Sequence, residues 1–127
     1  MDITEFIGRS VNAPKFLGTL ERQGWFVSYT ILLAEKHVED PEGKRIVVAV
    51  VLLGDYLWNI QTIRFEEVVY GAERTRRKKL ENPPPEIAEK ILEEIKHAFE
   101  RAKELPDHIK KRLEEFKAQT ATEAGSF

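Results

Sequence analysis

Three consecutive stretches decide the fold: Trp25-Phe26-Val27-Ser28-Tyr29-Thr30-Ile31-Leu32-Leu33-Ala34, Ile46-Val47-Val48-Ala49-Val50-Val51-Leu52-Leu53, and Trp58-Asn59-Ile60-Gln61-Thr62-Ile63-Arg64-Phe65. All are dense in β-branched and aromatic residues, which favour extended backbone. Between the first two lies Asp40-Pro41-Glu42-Gly43, which reads as a type I turn with glycine where positive φ is tolerated. Between the last two lies Gly54-Asp55, suited to a two-residue hairpin. Tight turns join antiparallel neighbours. The expectation is a three-stranded antiparallel meander with strands at about residues 25–38, 44–53 and 56–70, inside an α+β domain.

The turns also imply a register. Closing the second hairpin at Leu53 and Tyr56 sets Val51 opposite Trp58 and Ala49 opposite Ile60. Closing the first at Asp40 and Lys44 sets Leu33 opposite Val51 and Glu35 opposite Ala49. One face then carries Trp25, Val27, Tyr29, Ile31 and Leu33 with Val47, Ala49, Val51, Leu53, Tyr56, Trp58 and Ile60. This aromatic face reads as the core beneath the helices. The other carries Leu32, Ala34, Ile46, Val48, Val50, Leu52, Leu57, Ile63 and Phe65 among polar residues. It is too apolar to be left in water, so Ile46, Val48, Val50, Leu52, Ile63 and Phe65 are expected to form an oligomer face. A slip of one residue would exchange the two faces.

The flanks read as helical. Asp2-Ile3-Thr4-Glu5 resembles a capping box for a short first helix. Asn12 is placed to cap a second helix, with Pro14 in its first turn and Gly24 as terminator; Gly18 weakens that helix. After the sheet, Pro83-Pro84-Pro85 forms a stiff linker and helix start. Ile87, Ile91, Ile95, Ala98 and Ala102 trace an amphipathic helix over residues 86–104. A further helix restarts at Pro106 through Ile109, Leu113 and Phe116. The domain is expected to span residues 1–118, with 119–127 a frayed tail.

Composition narrows function mainly by exclusion. The 127 residues contain no cysteine, which removes disulfides, thiolate metal sites and a cysteine nucleophile together. No apolar run approaches the roughly 18 residues of a membrane span. The N-terminus carries an early acid and no basic segment, so a cytoplasmic location without membrane partners is expected. The charged share is 33%, with few Asn, Gln or Met, a bias found in hyperthermophile proteins and equally in a charged helix-rich mesophile. Each of the four aspartates, Asp2, Asp40, Asp55 and Asp107, has a capping or turn role, leaving little for an aspartate-based metal site. Glu94-Ile95-Lys96-His97 has the Glu-x-x-His spacing of di-metal bundles, but it occurs once where that chemistry needs two. No phosphate-cradling glycine loop or nucleophile elbow is present. No catalytic residue, metal or cofactor is therefore expected.

Two polar groups remain as candidates. Arg74, Arg76, Arg77, Lys78 and Lys79 put five cations in six residues, a local stripe suited to phosphate neutralisation. Glu35 and His37 fall, in the expected register, near Thr62, Arg64 and Glu66, a cluster able to hold an anionic ligand or to pair across strands. The order of helix, three strands and helix resembles the double-stranded RNA-binding domain. In that family the cations open the last helix, whereas here residues 80–85 intervene and Glu86 begins it, so no site residue is carried over. The leading expectation is a non-enzymatic, oligomeric module that contacts DNA or RNA through residues 74–79. The alternatives are a homo-oligomeric interaction subunit, and a small-ligand binder or enzyme using Glu35, His37, Arg64 and Glu66.

Overall fold

A computed structural model describes residues 3–124, with side-chain surroundings given through residue 120; Asp2 of the expected capping box lies outside them. After a 3-10 turn at Ile3–Glu5 come α1 (Ala13–Arg22), β1 (Phe26–Ser28), β2 (Leu33–Asp40), β3 (Arg45–Leu53), β4 (Ile60–Tyr70), β5 (Thr75–Lys79), α2 (Pro85–Arg101) and α3 (Asp107–Ala124). The class is α+β, as expected, and the sheet is an antiparallel meander of five strands rather than three, in the order β1-β2-β3-β4-β5.

The two extra strands have separate causes. The expected strand 25–38 folds back on itself through Tyr29-Thr30-Ile31-Leu32, pairing Ser28 with Leu33. Ser28 Oγ accepts from the Ile31 N–H at 3.4 Å, and Leu32 takes a φ of 55°. A serine hydroxyl thus stabilises a reversal inside a segment whose composition is that of a strand. The basic run, expected as a charged segment before the proline linker, is β5. Residues 71–74 turn the chain, with the Gly71 N–H donating to the Arg74 carbonyl at 3.0 Å, and residues 75–79 pair along β4.

Both expected hairpin registers shift by an odd number of residues. Between β2 and β3, Asp40 pairs with Arg45 instead of Lys44. The left-handed residue is Lys44 (φ 52°), not Gly43, so the turn holds one residue more. Between β3 and β4, Leu53 pairs with Ile60 across a wide turn of residues 54–59, and a β-bulge falls at Leu52/Leu53. Trp58 there adopts a φ of 52°, and the Gly54 N–H donates to the Asn59 carbonyl at 2.8 Å. Val51 consequently faces Ala34 and Ile63, and Ala49 faces Lys36 and Phe65.

An odd slip turns a strand over. The face of β3 expected to meet the helices does so: Val47, Ala49, Val51 and Leu53 are in the core. Its neighbours are Ala34, Ile63 and Phe65, which corrects the expectation that Ile63 and Phe65 belong to an outer contact face. Tyr29, Ile31 and Tyr56, expected in the core, are exposed on turns.

The helices close the other side of this core. Asn12 caps α1, its side chain accepting from the Lys15 N–H at 3.3 Å, and Gly24 (φ 93°) follows its end, both as expected. Phe16, Leu17 and Leu20 of α1 pack with Ile91, Ile95, Ala98 and Phe99 of α2 over the sheet. An ion pair lies within this layer. Lys36 Nζ meets Glu94 Oε1 at 2.7 Å, the two side chains being 14% and 13% exposed, and the same Oε1 accepts from Trp25 Nε1 at 2.8 Å. Helix α3 touches the body at its first turns, through buried Ile109, the ring of His108 against Trp58, and Arg112 Nη1 donating to the Tyr56 carbonyl. It stays helical to Ala124, past the point where fraying was expected. No helix among the described residues is long and apolar enough to cross a membrane.

Candidate nucleic-acid interface

Strand β5 is the exposed edge of the sheet, and every residue of it is exposed. Alternation along a strand sends Arg77 to the face away from the helices, with Lys79, while Arg76 and Lys78 point to the opposite side. The register agrees with this split, since Lys79 pairs with Glu66, Arg77 with Val68, Lys78 with Glu67 and Arg76 with Val69. Arg74 stands in the preceding turn. The five expected cations thus share one edge but divide between two faces.

They also divide in what they touch. Arg77 donates Nη1 and Nη2 to the two carboxylate oxygens of Glu35 at 2.7 and 2.9 Å, and Nη1 lies 3.6 Å from Glu66 Oε1. Arg74, Arg76, Lys78 and Lys79 make no ion pair among the described residues. Charged edge strands resist pairing with a second sheet, so these four also discourage edge-to-edge association.

The pair formed by Arg77 reaches from β5 to β2. In a flat sheet those strands are three spacings apart, about 14 Å. The contact therefore requires a sheet that coils toward this face. Glu35 and Glu66 lie on strands either side of β3, so a guanidinium touching both lies above β3. Beneath it are Val48 and Val50, each 0% exposed although neither belongs to the core on the helix side. His37 Nε2 stands 3.8 Å from Glu35 Oε2, and Arg64 Nε donates to Glu66 Oε2 at 3.1 Å. The predicted cluster of Glu35, His37, Arg64 and Glu66 is brought together, but on the face opposite to that expected, and Arg77 is the member that joins its halves.

Of the six residues assigned to an oligomer surface, Ile63 and Phe65 are in the helix-side core. Val48 and Val50 are buried between the pairs His37 and Glu66, and Glu35 and Arg64, and Ile46 and Leu52 are half-buried. Large exposed rings remain near the two ends of this face, Phe26 beside His37 and Tyr70 at the end of β4.

Electrostatics follow the contacts. The Glu35 carboxyl is held below the ordinary glutamate range, first by the hydrogen bonds from Arg77, with partial burial opposing and the charge of Arg77 assisting. The Arg77 guanidinium is raised in turn, first by the hydrogen bond to Glu35. Both carboxylates of the cluster are engaged by guanidinium groups, Glu35 by Arg77 and Glu66 by Arg64 and Arg77. No group of three or more His, Asp or Glu able to hold a metal occurs among the described residues, and His97 is exposed while Glu94 binds Lys36 and Trp25.

Sequence reasoning missed one aromatic. Tyr70, Gly71, Arg74 and Arg76, with Val69, Ala72 and the carboxylate of Glu73, line a shallow cleft of about 390 Å³ beside β5, with the Tyr70 ring 69% exposed. Its signal was available, because Tyr70 is the last residue before the glycine turn that leads to the cations. Compared with protein-family models, curated proteins and solved structures, the chain has no significant match to any of them.

Proposed function

We propose that the protein is a non-enzymatic binding module that contacts nucleic acid through the edge formed by β5 and the turn before it. The observation that carries this reading is the division within the basic run. Arg77 is consumed by Glu35 and Glu66, whereas Arg74, Arg76, Lys78 and Lys79 are exposed and without carboxylate partners among the described residues. Cations free of internal partners release counterions from a phosphate backbone at little desolvation cost. Tyr70, exposed next to Arg74 and Arg76, adds a ring on which an unpaired base can stack, favouring single strands over duplex.

Binding of a labelled single-stranded oligonucleotide, followed by anisotropy across a salt series, tests the proposal. Four phosphate contacts on a single strand give a slope of log K against log salt of about −2.8. Replacing Arg74, Arg76, Lys78 and Lys79 together by alanine should abolish binding. Absence of binding at low salt, or binding that survives this replacement, refutes the reading.

A second reading is self-association through the sheet face away from the helices. Exposed Phe26 and Tyr70 at its ends favour it. Sedimentation of the Phe26→Ser and Tyr70→Ser variants against the parent protein separates the two readings, since only an apolar interface responds to Phe26→Ser.

A further inference from the structure

The outer face of α1 forms, with the end of α2, a cleft of about 490 Å³ lined by Pro14, Lys15, Gly18, Thr19, Arg22 and Arg101. The volume falls in the range of small-molecule sites. Three of the six lining residues are cations and none is acidic. The neighbouring carboxylates have partners of their own: Glu21 accepts from the Tyr29 hydroxyl at 3.3 Å, beside Gly18, and Glu100 pairs with Lys103 at 2.8 Å. Lys15, Arg22 and Arg101 make no ion pair among the described residues.

The cleft is organised rather than merely charged. Lys15, Thr19 and Arg22 recur on one face of α1 at helical spacing. The buried Thr19 hydroxyl donates to the Lys15 carbonyl at 2.8 Å and accepts from Arg22 Nη2 at 3.3 Å, which positions the guanidinium at the cleft. Between them lies Gly18, a residue that weakens a helix interior. No packing constraint demands it: a Cβ there would meet only Arg22 Nη1 and the Tyr29 hydroxyl, both at 3.7 Å, an ordinary contact. What glycine provides is an open floor beneath three cations, and the amino end of α1 adds positive potential at Pro14 and Lys15.

We infer that this cleft binds the phosphate group of a small phosphorylated molecule, with Arg22 and Arg101 as its clamps, Lys15 as the third cation and Gly18 as the floor. The site belongs to α1 and α2 and shares no residue with β5, so it stands independently of the nucleic-acid reading.

Calorimetric titration with pyrophosphate at constant ionic strength tests it, and saturable binding at one site is the expected result. Arg22→Ala and Arg101→Ala should each weaken that binding about tenfold or more, the usual consequence of losing a charge-assisted hydrogen bond. Gly18→Leu should fill the floor and abolish binding while the melting temperature holds or rises, because leucine is the better helix former. Alanine at Lys111, exposed on α3 away from both sites' named residues, should leave binding unchanged. The inference is overturned if pyrophosphate gives no saturable heat at millimolar concentration. It is equally overturned if Gly18→Leu or both arginine variants bind as the parent does, or if binding is lost with Lys111→Ala instead.

Discussion

Replacing Arg77 by alanine is the most informative single perturbation of this fold. In the folded protein its guanidinium makes two hydrogen bonds to Glu35 and approaches Glu66, with carboxylate side chains only 21% and 17% exposed. An exposed ion pair contributes about 0–1 kcal/mol. Arg77 itself is 38% exposed, so solvent screening discounts the pair toward that range, while the bidentate geometry keeps it near the upper end. Removal does more than delete the pair, because it leaves two partly buried carboxylates facing each other and uncovers Val48 and Val50. Together these effects place the cost at about 1.5–2 kcal/mol. For a domain of this size that corresponds to a melting point lower by about 5–8 °C. Urea unfolding followed by tryptophan fluorescence measures the cost, and a double-mutant cycle with Glu35→Ala isolates the pair. The cycle should return a coupling of about 1 kcal/mol. A coupling within about 0.3 kcal/mol of zero, with single variants as stable as the parent, would refute the claim that this guanidinium roofs the sheet.

Three further outcomes follow from the same contacts. The folded-state pKa of Glu35 is depressed, so the stability it contributes is whole above its unfolded value of about 4.3 and is lost as pH falls through the lower folded value. Unfolding midpoints of the parent and Glu35→Gln should therefore differ at neutral pH, the parent being the more stable, and converge at acid pH. Glu94→Ala should cost about 2–3 kcal/mol in urea unfolding, because Lys36 and the Trp25 indole lose their shared acceptor in the helix layer; Glu94→Gln, which keeps a carbonyl oxygen, should cost less. In Gly71→Ala the added Cβ would stand 2.9 Å from the Arg74 carbonyl oxygen, a backbone atom with little room to move. Hydrogen exchange should then show faster exchange in residues 75–79 with little change in β3.

The helices are largely legible in the local sequence. Asn12, Pro14 and Gly24 mark α1, and the isoleucine stripe of α2 is laid down by spacing alone, because caps and a 3.6-residue period are local properties. The antiparallel meander is legible for a similar reason, since turn residues separate its apolar runs. Register is not, because it depends on how many residues each turn consumes. Lys44 rather than Gly43 takes the left-handed position, and residues 54–59 make a wide turn where Gly54-Asp55 suggests a tight one.

Those odd slips carry Glu35 and His37 to the open face, and Ile63 and Phe65 under the helices. The cluster is legible as a set of neighbours, because moving β2 and β4 together keeps them adjacent; its side of the sheet is not. Composition and patterning by themselves determined the α+β class, the cap of α1, the apolar stripe of α2 and the presence of a local basic run. Tertiary structure alone decided that the run is an edge strand, that Arg77 spans the sheet to Glu35, and that Arg101 of α2 lines one cleft with Lys15 and Arg22 of α1. These are contacts between residues distant in sequence, and no local propensity encodes which of several complementary charges a curling sheet or a docked helix brings within reach.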